Sequence, residues 1–327
     1  MKKLKKFLIW LVLIIVVFIA AALLYIKIAL PNVGSAAVMK ADATPESIEH
    51  GEYLANHVSV CIDCHSHRDW TRFSGPPVEG TIGMGGDHFD QKFGFPGTYY
   101  AKNITPEGIR RYTDGELFRV ITTGVTKEGK AIFPVMPYLY YGQMDDEDIK
   151  SIIAYVRTLK PIKNEVPKSS SDFPMNFLIN TIPHKAHLSK RPEKTDIINY
   201  GKYIVTASGC IECHTKVNKG RLIAGTEFGG GREFPFPDGS IVRSSNITPD
   251  LTTGIGPWNK EAFVYYFHSH SDSLTLSTVL KPGVLNSIMP WSMFGGMADE
   301  DMTAVFEYLR TVKPIANKVE KFSPAKI

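Results

Sequence analysis

Cys61-Ile62-Asp63-Cys64-His65 and its copy Cys210-Ile211-Glu212-Cys213-His214 constrain this chain more than any other stretch. Two thiols one helical turn apart can each form a thioether with a vinyl group of one porphyrin, and the adjacent imidazole can ligate its iron. C-x-x-C-H is the attachment signature of c-type haem for that reason. The two motifs use all four cysteines, so none is left for a structural disulfide. A zinc site would call for paired ligands from separate stretches, and a thioredoxin-like pair has no need of the trailing histidine. The pattern predicts two covalently bound haem c groups, with Cys61, Cys64, Cys210 and Cys213 as attachment thiols and His65 and His214 as iron ligands.

With 327 residues, 43% hydrophobic and 21% charged, the chain is long enough for two ordinary domains. Its formal charge of +4 comes from one end: Lys2, Lys3, Lys5, Lys6 and Lys27 lie in the first thirty residues, which hold no acid, and without them 32 basic groups face 33 acidic ones. A near-neutral globular part gives nucleic-acid binding no support. Phe7 to Ile26 is a run of twenty uncharged residues, about the length that spans a bilayer as a helix. Lysines ahead of it point its N-terminus to the cytoplasm. A cleaved signal peptide is the alternative, though its apolar region is normally only about 7 to 15 residues. Either way the bulk of the chain is expected outside a bacterial cytoplasmic membrane, on the periplasmic side.

After a tether the sequence repeats itself. The haem motifs are offset by 149 residues, Asn103-Ile104-Thr105-Pro106 and Asn246-Ile247-Thr248-Pro249 by 143, and Met136-Pro137-Tyr138 and Met289-Pro290-Trp291 by 153. Asp146-Glu147-Asp148 and Asp299-Glu300-Asp301 are again offset by 153. Four landmarks in one order indicate two homologous units rather than a solenoid. Each is expected to open with a helix ending in the haem motif, over Glu46 to His65 and Ile197 to His214. Each closes with one, where Ile149, Ile152, Ile153, Val156 and Leu159, and Met302, Val305, Phe306, Leu309 and Val312, recur at helical spacing. Pro161 and Pro314 stop those closing helices. The middles, Ser74 to Tyr112 and Gly220 to Gly256, read as long loops held around haem. The boundaries that follow are an anchor over 1–30, a tether over 31–44, a first domain over 45–160, an ordered connector over 161–195, a second domain over 196–318 and a tail over 319–327.

The sixth iron position decides between electron transfer and substrate binding. Met136 and Met289 are the candidates, each followed by proline and an aromatic residue and each ten residues ahead of its helix's first aspartate. The proline restricts the loop, so the thioether can be held at the iron. Met144 and Met297 also correspond but sit at helix entries and read as core. His57, His67, His88, His184, His187, His268 and His270 are unmatched between repeats, with His88 and the His268/His270 pair the ones to check. Asn103, Thr105, Asn246 and Thr248 offer short donors suited to haem propionates. Arg68 and Arg243 are weaker candidates for the same anions, and Trp70, Tyr138 and Trp291 are expected near the macrocycles.

The order C-x-x-C-H, Asn-Ile-Thr-Pro, Met-Pro-aromatic and Asp-Glu-Asp helix, occurring twice over Glu46 to Pro314, resembles the multihaem cytochrome c subunits of membrane-bound alcohol, aldehyde and sugar-acid dehydrogenases. That resemblance implies a mainly α fold of two tandem class I-like cytochrome c domains, preceded here by one N-terminal transmembrane helix. It implies His/Met iron, no catalytic residues of the chain's own, and redox partners: a dehydrogenase subunit as donor, and a terminal oxidase or other respiratory component. The chain departs from the pattern in carrying two motifs where those subunits usually carry three. The alternative is a dihaem enzyme of the cytochrome c peroxidase type, which needs one iron with a vacant position, whereas both repeats offer the same methionine.

Overall fold

The computed structural model describes residues 1–281 and 283–325; of the tail expected over 319–327, residues 326 and 327 lie outside the described residues. It is helical with some sheet. Helix α1 (Lys2–Ile28) buries none of its residues against the rest of the chain. At about 1.5 Å per residue, it is long and apolar enough to cross a membrane by length and composition, a test that a signal sequence near an N-terminus also passes.

In the first half, α2 (Pro45–Tyr53) runs through a π-helical turn (Leu54–Val58) towards α3 (Cys61–Cys64). Then come α4 (Pro106–Ile109), α5 (Asp114–Thr123), α6 (Tyr138–Tyr141) and α7 (Asp146–Thr158). The connector carries α8 (Met175–Leu178). The second half repeats the plan with α9 (Ile197–Ala207), α10 (Cys210–Cys213), α11 (Lys260–Ser269), α12 (Ser273–Ser277), α13 (Trp291–Phe294) and α14 (Asp299–Leu309). The helices expected to run unbroken into the haem motifs are interrupted just before the first cysteine. Val60 (φ 45°) and Gly209 (φ 63°), at equivalent places, take the left-handed conformation and restart the helix. Glycine does so freely, whereas a β-branched residue there is strained, a feature no periodicity argument detects.

Short strands tie in the segments that read as connector and tail. β1 (His88–Phe89), β2 (Gly97–Tyr100) and β3 (Ser170–Ser171) form one antiparallel sheet, with Thr98 opposite Ser170. β4 (Val217–Asn218) pairs with β5 (Arg221–Leu222). β6 (Glu233–Pro235), β7 (Ile241–Arg243) and β8 (Phe322–Ser323) form another sheet, with Val242 opposite Phe322. Residues 170–171 therefore pair with the first half and 322–323 with the second. Each loop edge that β2 and β7 would expose is covered by the chain that has just left the closing helix.

The opening and closing helices of each half cross where the sequence places a glycine. A Cβ on Gly51 would lie 1.8 Å from the Ser151 carbonyl oxygen, and one on Gly201 would lie 1.9 Å from that of Ala304. The buried faces of α2, α7, α9 and α14 merge into one apolar core that runs through both halves and includes Leu54, Ile149, Ile153, Ile204, Met302 and Leu309.

The halves meet reciprocally. Tyr53 donates its hydroxyl to Asp301 (2.7 Å) and accepts from the amide of Ala298 (3.1 Å). Tyr203 donates to Asp148 (2.5 Å) and accepts from the amide of Asp145 (2.9 Å). Each tyrosine of one repeat thus binds the closing-helix aspartate of the other, as in a twofold dimer interface written into one chain. Arg191 pairs with Asp148 at 2.7 Å and Lys194 with Asp301 at 3.1 Å, so neither buried carboxylate is left without a cation. Burial and the facing carboxylate hold the Tyr53 and Tyr203 hydroxyls well above their ordinary range.

Two outcomes follow for thermal or denaturant unfolding. Gly201→Val should cost about 3 kcal/mol through overpacking at the helix crossing, while Glu52→Ala on the exposed side of α2 should stay within about 0.5 kcal/mol. Tyr203→Phe should cost about 1–3 kcal/mol by leaving a buried acceptor on Asp148 unpaired, and Tyr53→Phe should match it if the interface is as symmetric as its geometry.

Candidate functional site

The histidine that ends each C-x-x-C-H motif is held by one hydrogen bond to a backbone carbonyl. His65 Nδ1 lies 2.6 Å from the Lys102 oxygen, and His214 Nδ1 lies 2.7 Å from the Ser245 oxygen. A carbonyl only accepts, so Nδ1 carries the proton and Nε2 keeps its lone pair for a metal. Burial pushes both imidazoles below their ordinary pKa, against the pull of that bond, which keeps them neutral.

The accepting carbonyls immediately precede Asn-Ile-Thr-Pro, and the repeated side chains hold that loop. Asn103 Oδ1 accepts from the amide and hydroxyl of Thr105, while its Nδ2 donates to the Ile162 oxygen at 2.8 Å. Thr105 Oγ1 in turn accepts from the Ile162 amide. Asn246, Thr248 and Ile315 make the same bonds, with Asn246 Nδ2 to the Ile315 oxygen at 2.7 Å. All four side chains are buried, and these bonds hold the loop in place. Arg68 and Arg243 are likewise engaged. Arg68 is buried between Asp63 (2.8 Å) and Asp87 (2.5 Å) and lies over the Trp70 ring. Arg243 binds Glu233 and the Ser323 hydroxyl.

Two supports escaped the sequence reading. Asn164 Nδ2 donates to the Met84 oxygen and Asn317 Nδ2 to that of Gly229. They belong to Pro161-Ile162-Lys163-Asn164 and Pro314-Ile315-Ala316-Asn317, a repeat offset by the same 153 residues as the Met-Pro motif and visible in the sequence. Gly85 (φ +72°) and Gly230 (φ +69°) donate their amides to the carbonyls of His65 and His214, and a Cβ on either would meet the backbone of Lys102 or Ser245 within 2.6 Å. Only glycine lets the two strands around the histidine come so close.

In the second half a cavity of about 300 Å³ brings together Cys210, His214 and Met289, with Trp258, Phe267 and Trp291 among the aromatic walls. That volume is at the lower end of the roughly 300–1,000 Å³ of ordinary ligand pockets. Cys213 lies outside the lining and is exposed. In the first half, Cys61 and Met136 pack against the core, partly buried. Burial pushes the Cys61, Cys64 and Cys210 thiols up to about 12, the reverse of the depressed thiol that a thioredoxin-like site requires. Among the described residues no group of three or more His, Cys, Asp or Glu has a metal-holding arrangement.

The loop carrying Met289 is braced from the first half. The Ser74 hydroxyl donates to the Met289 oxygen at 2.6 Å and accepts from the Trp291 amide at 3.0 Å, while the Ser74 amide donates to Asn286 Oδ1 at 2.8 Å. Met144 and Met297 are buried core, as their place at helix entries implied. His268 has both ring nitrogens occupied, by the Gly295 oxygen and Asp299. His270 hydrogen-bonds the Tyr266 oxygen and stacks on Trp291 at 4.5 Å without lining the cavity. His88 is exposed near Asp90. Trp70 packs edge-on to Phe236 and Tyr138 is fully buried.

Known proteins resemble this chain over most of its length. It is 25% identical over 296 residues to the cytochrome c subunit of alcohol dehydrogenase (quinone) of Gluconacetobacter polyoxogenes, covering 86% of this chain and 59% of that one. It is 28% identical over 291 residues to the fructose dehydrogenase cytochrome subunit of Gluconobacter japonicus, covering 83% and 54%. It is 25% identical over 274 residues to a diheme cytochrome c-type protein of Cereibacter sphaeroides, covering 78% and 82%. The chain thus spans little more than half the length of the dehydrogenase subunits it matches. No family model matches it. Two of these relatives are named as cytochrome subunits of dehydrogenases and the third as a diheme cytochrome c, and they lend the peroxidase alternative no support.

Because Asn246 holds the Ile315 carbonyl and Thr248 at once, Asn246→Ala should lower stability by about 1–3 kcal/mol in denaturant unfolding. Asn103→Ala should do the same in the first half.

Proposed function

We propose that this chain is a membrane-anchored dihaem cytochrome c that passes single electrons from a dehydrogenase subunit towards the respiratory chain, with its two haem domains on the periplasmic side of α1. The observation that carries this reading is the matched pair of histidines, each fixed by Nδ1 to a carbonyl with Nε2 left free, and each directly following two cysteines on one helical turn.

The residues present fit a porphyrin. In the second half the cavity walls are aromatic and apolar, with His214 and Met289 both on the lining. The Ser208 hydroxyl lies on the same lining, buried and with no partner among the described residues. In the first half the Tyr138 hydroxyl is buried without a partner among the described residues, and a polar edge of a bound group would satisfy it. Cys61 and Cys64, and Cys210 and Cys213, would hold the two groups covalently. His65 with Met136, and His214 with Met289, would supply the axial pairs. Bound there, haem would provide a one-electron Fe(III)/Fe(II) couple, with thioether ligation favouring the reduced form. The protein's part is to keep the imidazoles neutral, aim their Nε2 atoms and fix the methionine loops. In this reading Asn103, Thr105, Asn246 and Thr248 act on the cofactor through the loop they brace.

The dehydrogenase partner rests on the likeness to cytochrome subunits of such enzymes, and the count of two haems on the two motifs and the dihaem relative. The anchor rests on the length and apolarity of α1 and on lysines at its start.

A holoprotein from a haem-maturing host should give two haems per chain by pyridine haemochrome; fewer would remove the reading. Met136→Ala and Met289→Ala should each remove about half of the low-spin methionine–iron charge-transfer band and lower one of two midpoint potentials. If neither changes the ferric spectrum, methionine is not the ligand. Ser74→Ala should perturb the share of that band lost with Met289→Ala and leave the share lost with Met136→Ala.

A further inference from the structure

The connector turns back to meet the end of α1. Lys27 donates its ammonium to the Asn176 oxygen at 3.0 Å and sits 4.8 Å from the centroid of the Phe177 ring. Asn180 Nδ2 donates to the Ile26 oxygen at 3.4 Å. The knuckle over 173–182, Phe-Pro-Met-Asn-Phe-Leu-Ile-Asn-Thr-Ile, therefore lies against the last turn of the apolar helix. It nevertheless leaves large apolar side chains outside: Phe173 is 81% exposed and Leu178 44%, next to Ile28 at 77% on the helix itself. Lys27 and Lys185 are exposed there, against one acid, Asp172, which abuts Phe173 and accepts from the Gln91 side chain at 2.8 Å. Apolar side chains beside lysines that outnumber the acid are what an anionic bilayer surface accepts.

We infer that the Phe173–Ile182 knuckle is a second membrane contact, seated in the headgroup layer beside the exit of α1. This rests on the reading of α1 as a membrane span. Two contacts fix what one cannot: a single helix lets the haem domains swivel about its axis, and a knuckle in the interface holds one face of the first half towards the lipid. The occupant is lipid because the patch is continuous with the span and lysines outnumber acid beside it.

The test uses full-length holoprotein in nanodiscs of phosphatidylcholine and phosphatidylglycerol, nitroxide-labelled at one position in each of F173C, V17C and L251C. Collision with oxygen is compared with collision with a water-soluble nickel chelate. Position 17 reads the span itself, and position 251, exposed on the second half, reads water. The label at 173 is expected to favour oxygen several-fold more than the label at 251, and adding K185E should reduce that preference. A label at 173 as open to nickel as the one at 251, with 17 in hydrocarbon, overturns the knuckle and leaves the span intact. A label at 17 open to nickel removes the span, and the knuckle falls with it.

Discussion

A hydrogen bond of about 2.6–2.7 Å from an imidazole to a backbone carbonyl, made once in each half, is the constraint on which the rest of this structure depends. It decides which ring nitrogen is free and in which direction that nitrogen points. A carbonyl can serve only if its own loop is rigid, and the Lys102 and Ser245 loops contain little regular structure of their own. Asn103 and Thr105, or Asn246 and Thr248, bind each loop to the chain that follows the closing helix, through Ile162 or Ile315. Asn164 or Asn317 then ties that chain to the strand carrying Gly85 or Gly230. Those glycines return to the histidine's own carbonyl and close the circuit. Polar atoms that would be costly to bury singly satisfy one another around it.

The second constraint is the reciprocal joint. Tyr53 with Asp301 and Tyr203 with Asp148 bury carboxylates that attraction alone would not hold away from water. Here each accepts tyrosine hydrogen bonds and faces a connector cation, Lys194 or Arg191. The connector therefore does more than bridge a distance. It delivers Arg191 and Lys194 to the joint, lends β3 to the first sheet and meets α1 at Asn176 and Asn180. A chain with two loosely strung domains would need none of these contacts.

How much of this was legible in the sequence follows from the range of the forces involved. The haem motifs, the repeat, the closing helices and the apolar helix were readable because each is local: a spacing, a 3.6-residue period or a run without charge. The Asn-Ile-Thr-Pro repeat was legible as a motif, but the loop bracing it performs was not. A short donor looks the same whether it faces an anion or a carbonyl 59 residues on, and here Asn103 bonds the carbonyl of Ile162. The third acid of each Asp-Glu-Asp reads as a helix-start charge, yet Asp148 and Asp301 are buried at the joint, because helix period alone cannot say which face meets the other repeat. Strands of two residues leave no periodic trace, so the pairing of the connector with β2 and of the tail with β7 was not legible. The Pro-Ile-x-Asn repeat is visible in the letters, but a short stretch after a helix-ending proline carries no sign that the asparagine reaches back to the loop before Gly85 or Gly230.

Duplication made two sites with the same candidate donors, but the surroundings have diverged. Beside His65, Asp63 is buried with Arg68 and Asp87, and burial outweighs the arginine enough to push its carboxyl up to about 6. Beside His214 the matching acid is Glu212, half-exposed, paired with Arg232 at 3.2 Å and accepting from the Tyr140 hydroxyl of the other half at 2.5 Å. The methionine loops differ in the same way, since Ser74 braces Met289 across the joint. Identical ligand sets in unlike fields are inequivalent, because a buried charge acts through a low dielectric while an exposed one is screened. Whatever separates the two halves in use arises from these neighbours, some within a half and some, Tyr140 and Ser74, reaching across the joint, rather than from the motifs they share.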